Sequence, residues 1–265
     1  MDRFDVSPRR SLGQNFVTDP NTVRRIARLA GAGPADHVLE IGAGLGSLTL
    51  ALAETGASVR AVEVDSGLAA ALRTVLAEAG ALSVEVVEGD ASRLDFGEVL
   101  QGSDRWMLVA NLPYNIATPL ILDLLRDVGA IDTMVVMVQR EMGERLAAPP
   151  GSRARGIPSV LVERRGTARV VARVPASVFR PRPKVESVVV RIERHVGCEA
   201  SCPPAVDARF ELLVRAGFGQ RRKMLRRSLA GLAASESFAA AGLDPSSRPE
   251  ALTVDQWISL ARATG

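Results

Sequence analysis

A chain of 265 residues, 47% hydrophobic and 24% charged, is long enough for a domain of about 200 residues with a small partner, and no apolar run reaches the roughly eighteen residues that span a bilayer. Residues 1–19 lack a basic-then-apolar leader, and Cys198 and Cys202 are too few and too close to staple the chain, so a reducing, cytoplasmic setting with no membrane partner is expected. The formal net charge of +3 hides a split, because residues 1–176 carry 19 basic and 21 acidic side chains whereas residues 177–265 carry 14 and 9.

In chain order, Asn21–Ala30 has apolar residues at helical spacing (Val23, Ile26, Ala27, Leu29, Ala30). Short runs rich in β-branched residues follow at His37–Ile41, Val59–Val64, Val84–Val87, Met107–Ala110 and Thr133–Val138. Helix-like segments lie between them at Leu48–Glu54, Leu68–Glu78, Phe96–Leu100 and Pro119–Arg126. This alternation predicts an α/β fold with a Rossmann-like parallel sheet and right-handed crossovers. Residues 149–156 are a loop by composition, and Ala168–Val174 with Val185–Ile192, joined by the proline-rich stretch Pro175–Pro183, predict an antiparallel hairpin closing the sheet. After His195 the pattern turns helical, at Ala205–Gly217, Gln220–Leu232, Ser235–Ala241 and Thr253–Ala263. Two domains are expected: a strand-and-helix domain over residues 1–197 and a small, basic, all-α domain over residues 198–265.

Ligands of open parallel sheets sit at the carboxyl ends of the strands, which here brings Gly42, Glu63, Asp90 and Asn111 into one constellation. The turn Glu40-Ile-Gly42-Ala-Gly44-Leu-Gly46-Ser47 lets a ligand approach the backbone closely. Its third glycine comes one residue earlier than the dinucleotide fingerprint requires, which points away from a nicotinamide cofactor and toward an adenosyl cofactor without a pyrophosphate. Glu63, 21 residues after Gly42, stands where a carboxylate takes both ribose hydroxyls. Asp90 is placed to accept from the cofactor's adenine amine, or is an ordinary turn aspartate. Asn111-Leu112-Pro113-Tyr114 follows the fourth strand. An adenine amine is a poor nucleophile because its lone pair is delocalised; an Asn oxygen and a backbone carbonyl held by proline accept both of its N–H bonds and favour a pyramidal nitrogen. The Tyr114 ring can stack on the base, and no strong general base is needed.

Within Arg209–Arg227, seven basic residues (Arg209, Arg215, Arg221, Arg222, Lys223, Arg226, Arg227) face one acid, Glu211. Such a field attracts a phosphate backbone; a solvated helix face is the alternative.

The segments Leu12-Gly-Gln-Asn-Phe16, Glu40-Ile-Gly-Ala-Gly44, Asn111-Leu-Pro-Tyr-Asn115, Gln139-Arg-Glu-Met142, Phe179-Arg-Pro-Arg-Pro-Lys184-Val and Gln220-Arg-Arg-Lys223 appear in the order found in one family. The chain resembles, nearly end to end, the bacterial KsgA (RsmA) small-subunit rRNA adenine N6-dimethyltransferases. The resemblance implies a class I methyltransferase sheet using S-adenosylmethionine and no metal. It implies that Asn15 and Val17 close over the cofactor, that Gly42, Gly44, Glu63, Asp90 and Asn111 contact it or the reacting amine, and that Tyr114 and Phe179 sandwich a flipped adenine. The substrate it implies is a pair of adjacent adenosines in the 3′-terminal hairpin loop of 16S rRNA, each dimethylated in a pre-30S particle by a monomeric enzyme. Arg221, Arg222, Lys223, Arg226 and Arg227 would hold the rRNA, with Arg222 and Arg226, and Lys223 and Arg227, stacked one helical turn apart. Val17 stands where a leucine is common, and Ser11-Leu12 replaces a basic-aromatic pair. Rival readings are a macrolide-resistance-type enzyme acting on 23S rRNA, a non-catalytic ribosome-assembly factor, and a zinc site at His195, Cys198 and Cys202, which has too few ligands to persuade.

Overall fold

The computed structural model describes residues 15–114, 116–197 and 203–264. The chain divides into two compact units, residues 1–143 with 169–194, and residues 144–168 with 195–265.

In the first unit, β1 (Phe16–Val17) precedes α1 (Pro20–Ala30). The Asp19 carboxylate accepts from the backbone N–H groups of Asn21 and Thr22 and so satisfies donors that a helix start leaves unpaired. The apolar stripe Val23, Ile26, Ala27 and Ala30 is buried. The alternating core follows as β2 (His37–Ile41), α2 (Ser47–Ala53), β3 (Ser58–Glu63), α3 (Ser66–Ala79), β4 (Val84–Glu88), α4 (Phe96–Val99), β5 (Trp106–Asn111), α5 (Ala117–Asp127) and β6 (Ile131–Gln139). After α6 (Arg140–Leu146) and α7 (Ile157–Arg165) come β7 (Gly166–Val174), the short β8 (Phe179–Arg180) and β9 (Ser187–Arg194).

The main sheet runs β4-β3-β2-β5-β6-β9-β7, parallel from β4 to β6 with β9 antiparallel to β6. The central strands β2, β5 and β6 are largely buried and mostly apolar, as expected inside a parallel sheet, whereas the edge strands β4 and β7 are more exposed. Chain order reverses between β2 and β5, since β3 and β4 extend the sheet one way and β6 the other; that reversal opens a crevice at the strands' carboxyl ends. Register aligns these ends, with Ile41 beside Val62 and Glu63 beside Glu88. The Arg194 guanidinium closes the opposite end of α5, donating to the carbonyls of Leu124, Leu125, Val128 and Ile131. The predicted hairpin region takes its place at the sheet edge, with β9 between β6 and β7.

The second unit packs α7 with α8 (Pro204–Gly219), α9 (Leu225–Ser228), α10 (Ser235–Ala240) and α11 (Val254–Ala263) around Phe210, Leu213, Leu225, Leu229, Phe238, Trp257 and Leu260. Three features differ from the sequence expectation. Helix α7 was not anticipated, because Val160, Leu161 and Val162 are all buried together with Arg164 and Arg165, which leaves no one-sided stripe to read. Residues 144–168, expected in the first domain, belong to this second unit: Arg164 and Arg165 reach Asp207 at 3.0 and 2.7 Å, and Arg165 reaches Glu211 at 3.3 Å. Arg155, 0% exposed, adds hydrogen bonds to the Ala148 and Leu252 carbonyls and an ion pair with Glu163 at 2.6 Å.

The third difference is a correction. Gln220–Leu232 is not one helix: α8 ends at Gly219, residues 220–224 turn, and only Leu225–Ser228 is helical. Met224 is extended, the Lys223 N–H donates to the Gln220 carbonyl, and the Arg226 N–H donates to Pro245, so the backbone bonds leave the helical ladder. The stacking of Arg222 on Arg226 and of Lys223 on Arg227 along one helix face is therefore absent.

Candidate active site

A cavity of about 90 Å³ lies at the reversal between β2 and β5, lined by residues that include Asn15, Phe16, Val17, Glu40, Gly42, Gly44, Glu63, Asn111, Leu112, Pro113 and Tyr114. It gathers most of the residues expected from the sequence. Glycine is required at position 44, where φ is +58° and a Cβ would stand 2.8 Å from the Phe16 ring. The Gly44 N–H donates to one Glu63 carboxylate oxygen at 2.8 Å and the Asp65 N–H donates to the other at 3.0 Å, so this buried carboxylate is held rigidly at the end of β3. Each of its oxygens keeps a lone pair for another donor.

Asn111 ends β5. Its Nδ2 donates to the Asn15 carbonyl at 3.0 Å, which turns the other end of the amide, the acceptor Oδ1, away from that partner. The Leu112 N–H donates to the Met137 carbonyl, anchoring the turn to β6. Tyr114 is half-buried, with its hydroxyl 2.9 Å from the Ser187 Oγ; burial pushes the phenol upward from its ordinary range and the Ser187 contact partly offsets this.

Two expected residues stand elsewhere. Asp90 follows β4, but its carboxylate binds the Ser92 hydroxyl at 2.7 Å and the Ser92 N–H at 2.9 Å, which holds it below the usual carboxylate range, and it does not line the cavity. Phe179, 2% exposed, lies in the core with Ala172 and Val174, and pairs with Val17 across the small β1–β8 sheet. In this conformation it does not face the cavity beside Tyr114.

Three residues went unassigned in the sequence: Phe16, whose ring covers Gly44; Ser187, the partner of Tyr114; and Glu40. Glu40 is 2% exposed and its Oε2 meets no hydrogen-bond partner. Burial raises its pKa to about 8; the nearby Thr49 hydroxyl lowers it somewhat and the charge of Glu63 raises it. The signal was present, since a glutamate inside the apolar run His37–Ile41 has to be buried by the flanking helices.

Of the basic residues in the second unit, Arg221 donates to the Arg153 carbonyl at 2.7 Å and lies 3.6 Å from Glu250, whereas Arg222, Lys223, Arg226 and Arg227 are exposed. The ring of His195 meets the Thr167 hydroxyl at 3.0 Å; Cys198 and Cys202 lie outside the described residues, as do Leu12 to Gln14 and Asn115. Among the described residues no group of metal-ligating side chains gathers, and no helix is long and apolar enough to cross a membrane.

The model of the ribosomal RNA adenine dimethylase family matches residues 6–264. A protein of Nocardia farcinica named ribosomal RNA small subunit methyltransferase A is 47% identical over 98% of this chain and 91% of its own length. A protein of the same name from Bifidobacterium longum is 44% identical over 97% and 88%. Among solved structures, a dimethyladenosine transferase from Plasmodium falciparum shares the fold, with a TM-score of 0.76 and 24% identity over 92% of this chain and 95% of that one. The 23S rRNA methyltransferase ErmE gives a TM-score of 0.71 and 26% identity over 94% and 99%. With a sheet reversal that carries the glycine turn and the Asn-Leu-Pro-Tyr turn, and with relatives matched nearly end to end, this chain is an rRNA methyltransferase and belongs to the ribosomal RNA adenine dimethylase family.

Proposed function

We propose that the chain transfers methyl groups from S-adenosylmethionine to the N6 amines of two adjacent adenosines in the 3′-terminal hairpin loop of 16S rRNA, acting on a pre-30S particle. The observation that carries this reading is the Asn111 side chain, whose nitrogen is tied to Asn15 and whose oxygen is left to accept from an amine.

The residues present fit the cofactor. Glu63, fixed through Gly44 and Asp65, offers its remaining lone pairs to two ribose hydroxyls, and the unpartnered Glu40 oxygen offers an acceptor to the amino-acid ammonium. When bound, S-adenosylmethionine supplies a methyl group on a sulfonium. Asn111 Oδ1 and the Leu112 carbonyl, held by Pro113, accept the two amine hydrogens and turn the nitrogen lone pair out of the ring system toward that methyl. Transfer would break the sulfonium's bond to that methyl, leaving a neutral thioether, and the amine would then lose its extra proton to water without a side-chain base.

Tyr114 stacks on the extruded adenine. Asp90, whose Oδ2 takes neither Ser92 contact, is assigned to the cofactor's adenine amine and Phe179 to the second face of the base; Phe179 has to turn from its core partners to serve. Arg222, Lys223, Arg226 and Arg227, with Arg221 beside them, are assigned to rRNA phosphates.

Methyl transfer to unmethylated 30S particles, with mapping of the modified bases, tests the reading. Two adjacent dimethylated adenosines near the 3′ end of 16S rRNA are expected; methylation of 50S-derived RNA instead would refute it.

A further inference from the structure

We propose that Ser187 is a positioning residue for methyl transfer, its hydroxyl holding the Tyr114 ring in the place from which it stacks on the target base. The inference rests on the reading of Tyr114 as the stacking ring.

Ser187 opens β9, pairs with Gln139 across the β6–β9 register, and is 0% exposed. The Arg140 N–H donates to the Glu186 carbonyl at 2.9 Å, so the backbone on both sides of this position is pinned. The residues that follow, Val188, Val189 and Val190, show what a buried position in this strand ordinarily takes; serine gives up that packing and brings a hydroxyl that must be satisfied. The side-chain partner it meets is the Tyr114 hydroxyl, 73 positions earlier in the chain, at 2.9 Å.

The phenol in turn has its far end fixed. A tyrosine at the end of a turn rotates about two side-chain bonds; holding the ring's outermost atom on a sheet strand removes the swing about Cα–Cβ, while rotation about the ring's own axis, on which that atom lies, is restrained only by the in-plane preference of a phenol hydrogen bond. The ring then stands in place before the base arrives, and part of the ordering entropy of stacking is not lost at each encounter. Ser187 does not touch the reacting atoms, and its effect passes through Tyr114.

The test uses Ser187→Ala, Tyr114→Phe and the double variant in the full chain, with kcat and KM measured on unmethylated 30S particles and cofactor Kd measured separately. Removing one hydrogen bond of ordinary strength lowers kcat by about three- to tenfold. Each single variant is expected to show this loss, the double variant the same loss and no more, and the cofactor Kd is expected to stay unchanged. Tyr114→Phe keeps size and ring, so it reports even if Ser187→Ala folds poorly.

A second readout is independent of activity. The chain contains one tyrosine, so an ultraviolet titration of phenolate absorbance reports Tyr114 alone. Because the serine contact offsets the effect of burial, Ser187→Ala should move this titration to higher pH. An unmoved titration, wild-type kcat in Ser187→Ala, losses that multiply in the double variant, or a cofactor Kd that weakens in step with kcat would each overturn the proposal. A wild-type chain inactive on every adenine-containing rRNA would instead sink the site reading beneath it, while the titration still reports whether the tie exists.

Discussion

Glu40 links the stability of the free protein to pH in a way that a single isosteric change should erase. Its carboxyl is buried, the surrounding apolar strand and helix disfavour the charged form, and its pKa rises from an ordinary 4.5 to about 8. Between those values the folded protein keeps a proton that the unfolded chain releases, so this group's contribution to stability is fully present below about pH 4.5 and is lost as pH rises toward 8. At about 1.4 kcal/mol per pH unit, the interval corresponds to about 5 kcal/mol, a large share of the total stability of a domain.

Glu40→Gln keeps the shape and removes the titration. Urea unfolding of both proteins without cofactor, at intervals from pH 5 to pH 9, should give similar stabilities at the acid end, an advantage for the variant that widens up to about pH 8, and a constant difference beyond it. Other groups that titrate in this range are common to both chains and cancel in the difference. Parallel curves would refute the reasoning, since they would mean that Glu40 ionises alike in the folded and unfolded chains. The same carboxyl makes a second, opposite claim on function: if it receives the cofactor's ammonium, binding expels its proton, wild-type affinity strengthens from pH 6 to pH 8, and the Gln variant binds more weakly with a flat profile.

Asn111→Ala should leave cofactor Kd within a few-fold while lowering turnover by about a hundredfold or more, because it removes the amine-orienting acceptor; near-normal turnover on unmethylated 30S particles would refute that role. Arg222→Ala with Arg226→Ala should weaken rRNA binding and reduce the slope of log K against log salt by about 1.4, the value for two phosphates on a single strand; an unchanged slope would make these residues a solvated surface. Gly44→Ala forces a side chain into left-handed backbone and against the Phe16 ring, so a melting temperature lowered by strain of about 1–2 kcal/mol is expected, together with weakened cofactor binding. A variant with unaltered stability and affinity would show that the turn relaxes freely.

The sheet was legible because its signal is local. Each strand of the parallel core is a short β-branched run between turn residues, and the residues just past the strand ends, Gly42, Glu63 and Asn111, could be placed together once the alternation implied a reversal of strand order. What escaped depends on partners far away in the chain. Helix α7 shows no stripe because it is buried on several sides, and its arginines make sense only beside Asp207 and Glu211. Gln220–Leu232 has helix-forming composition, yet Pro245 and Ser247 draw off the backbone donors of Arg226 and Leu225 and limit the helix to a single turn. Composition registers a cluster of cations there, but not the faces on which they lie. Glu40 and Ser187 were visible as letters out of place in apolar strands, and only packing shows that one faces the cavity and the other a tyrosine.

The charges of the first unit's cavity bear on how a polyanion could use it. Glu63 and, when ionised, Glu40 place negative charge beside Asn111, which suits a cationic cofactor and repels a phosphate backbone. An RNA strand threaded through this crevice would carry its phosphates against those carboxylates, whereas a single extruded base brings only a neutral ring and its amine. The exposed cations Arg222, Lys223, Arg226 and Arg227 belong to the other compact unit, so if they hold the phosphates as proposed, that task and orientation of the amine would fall to different parts of the chain. On this reading salt should weaken rRNA binding while leaving the rate of methyl transfer from the bound state almost unchanged, and a single-turnover rate that fell with salt as steeply as affinity does would show that the two tasks are not separate.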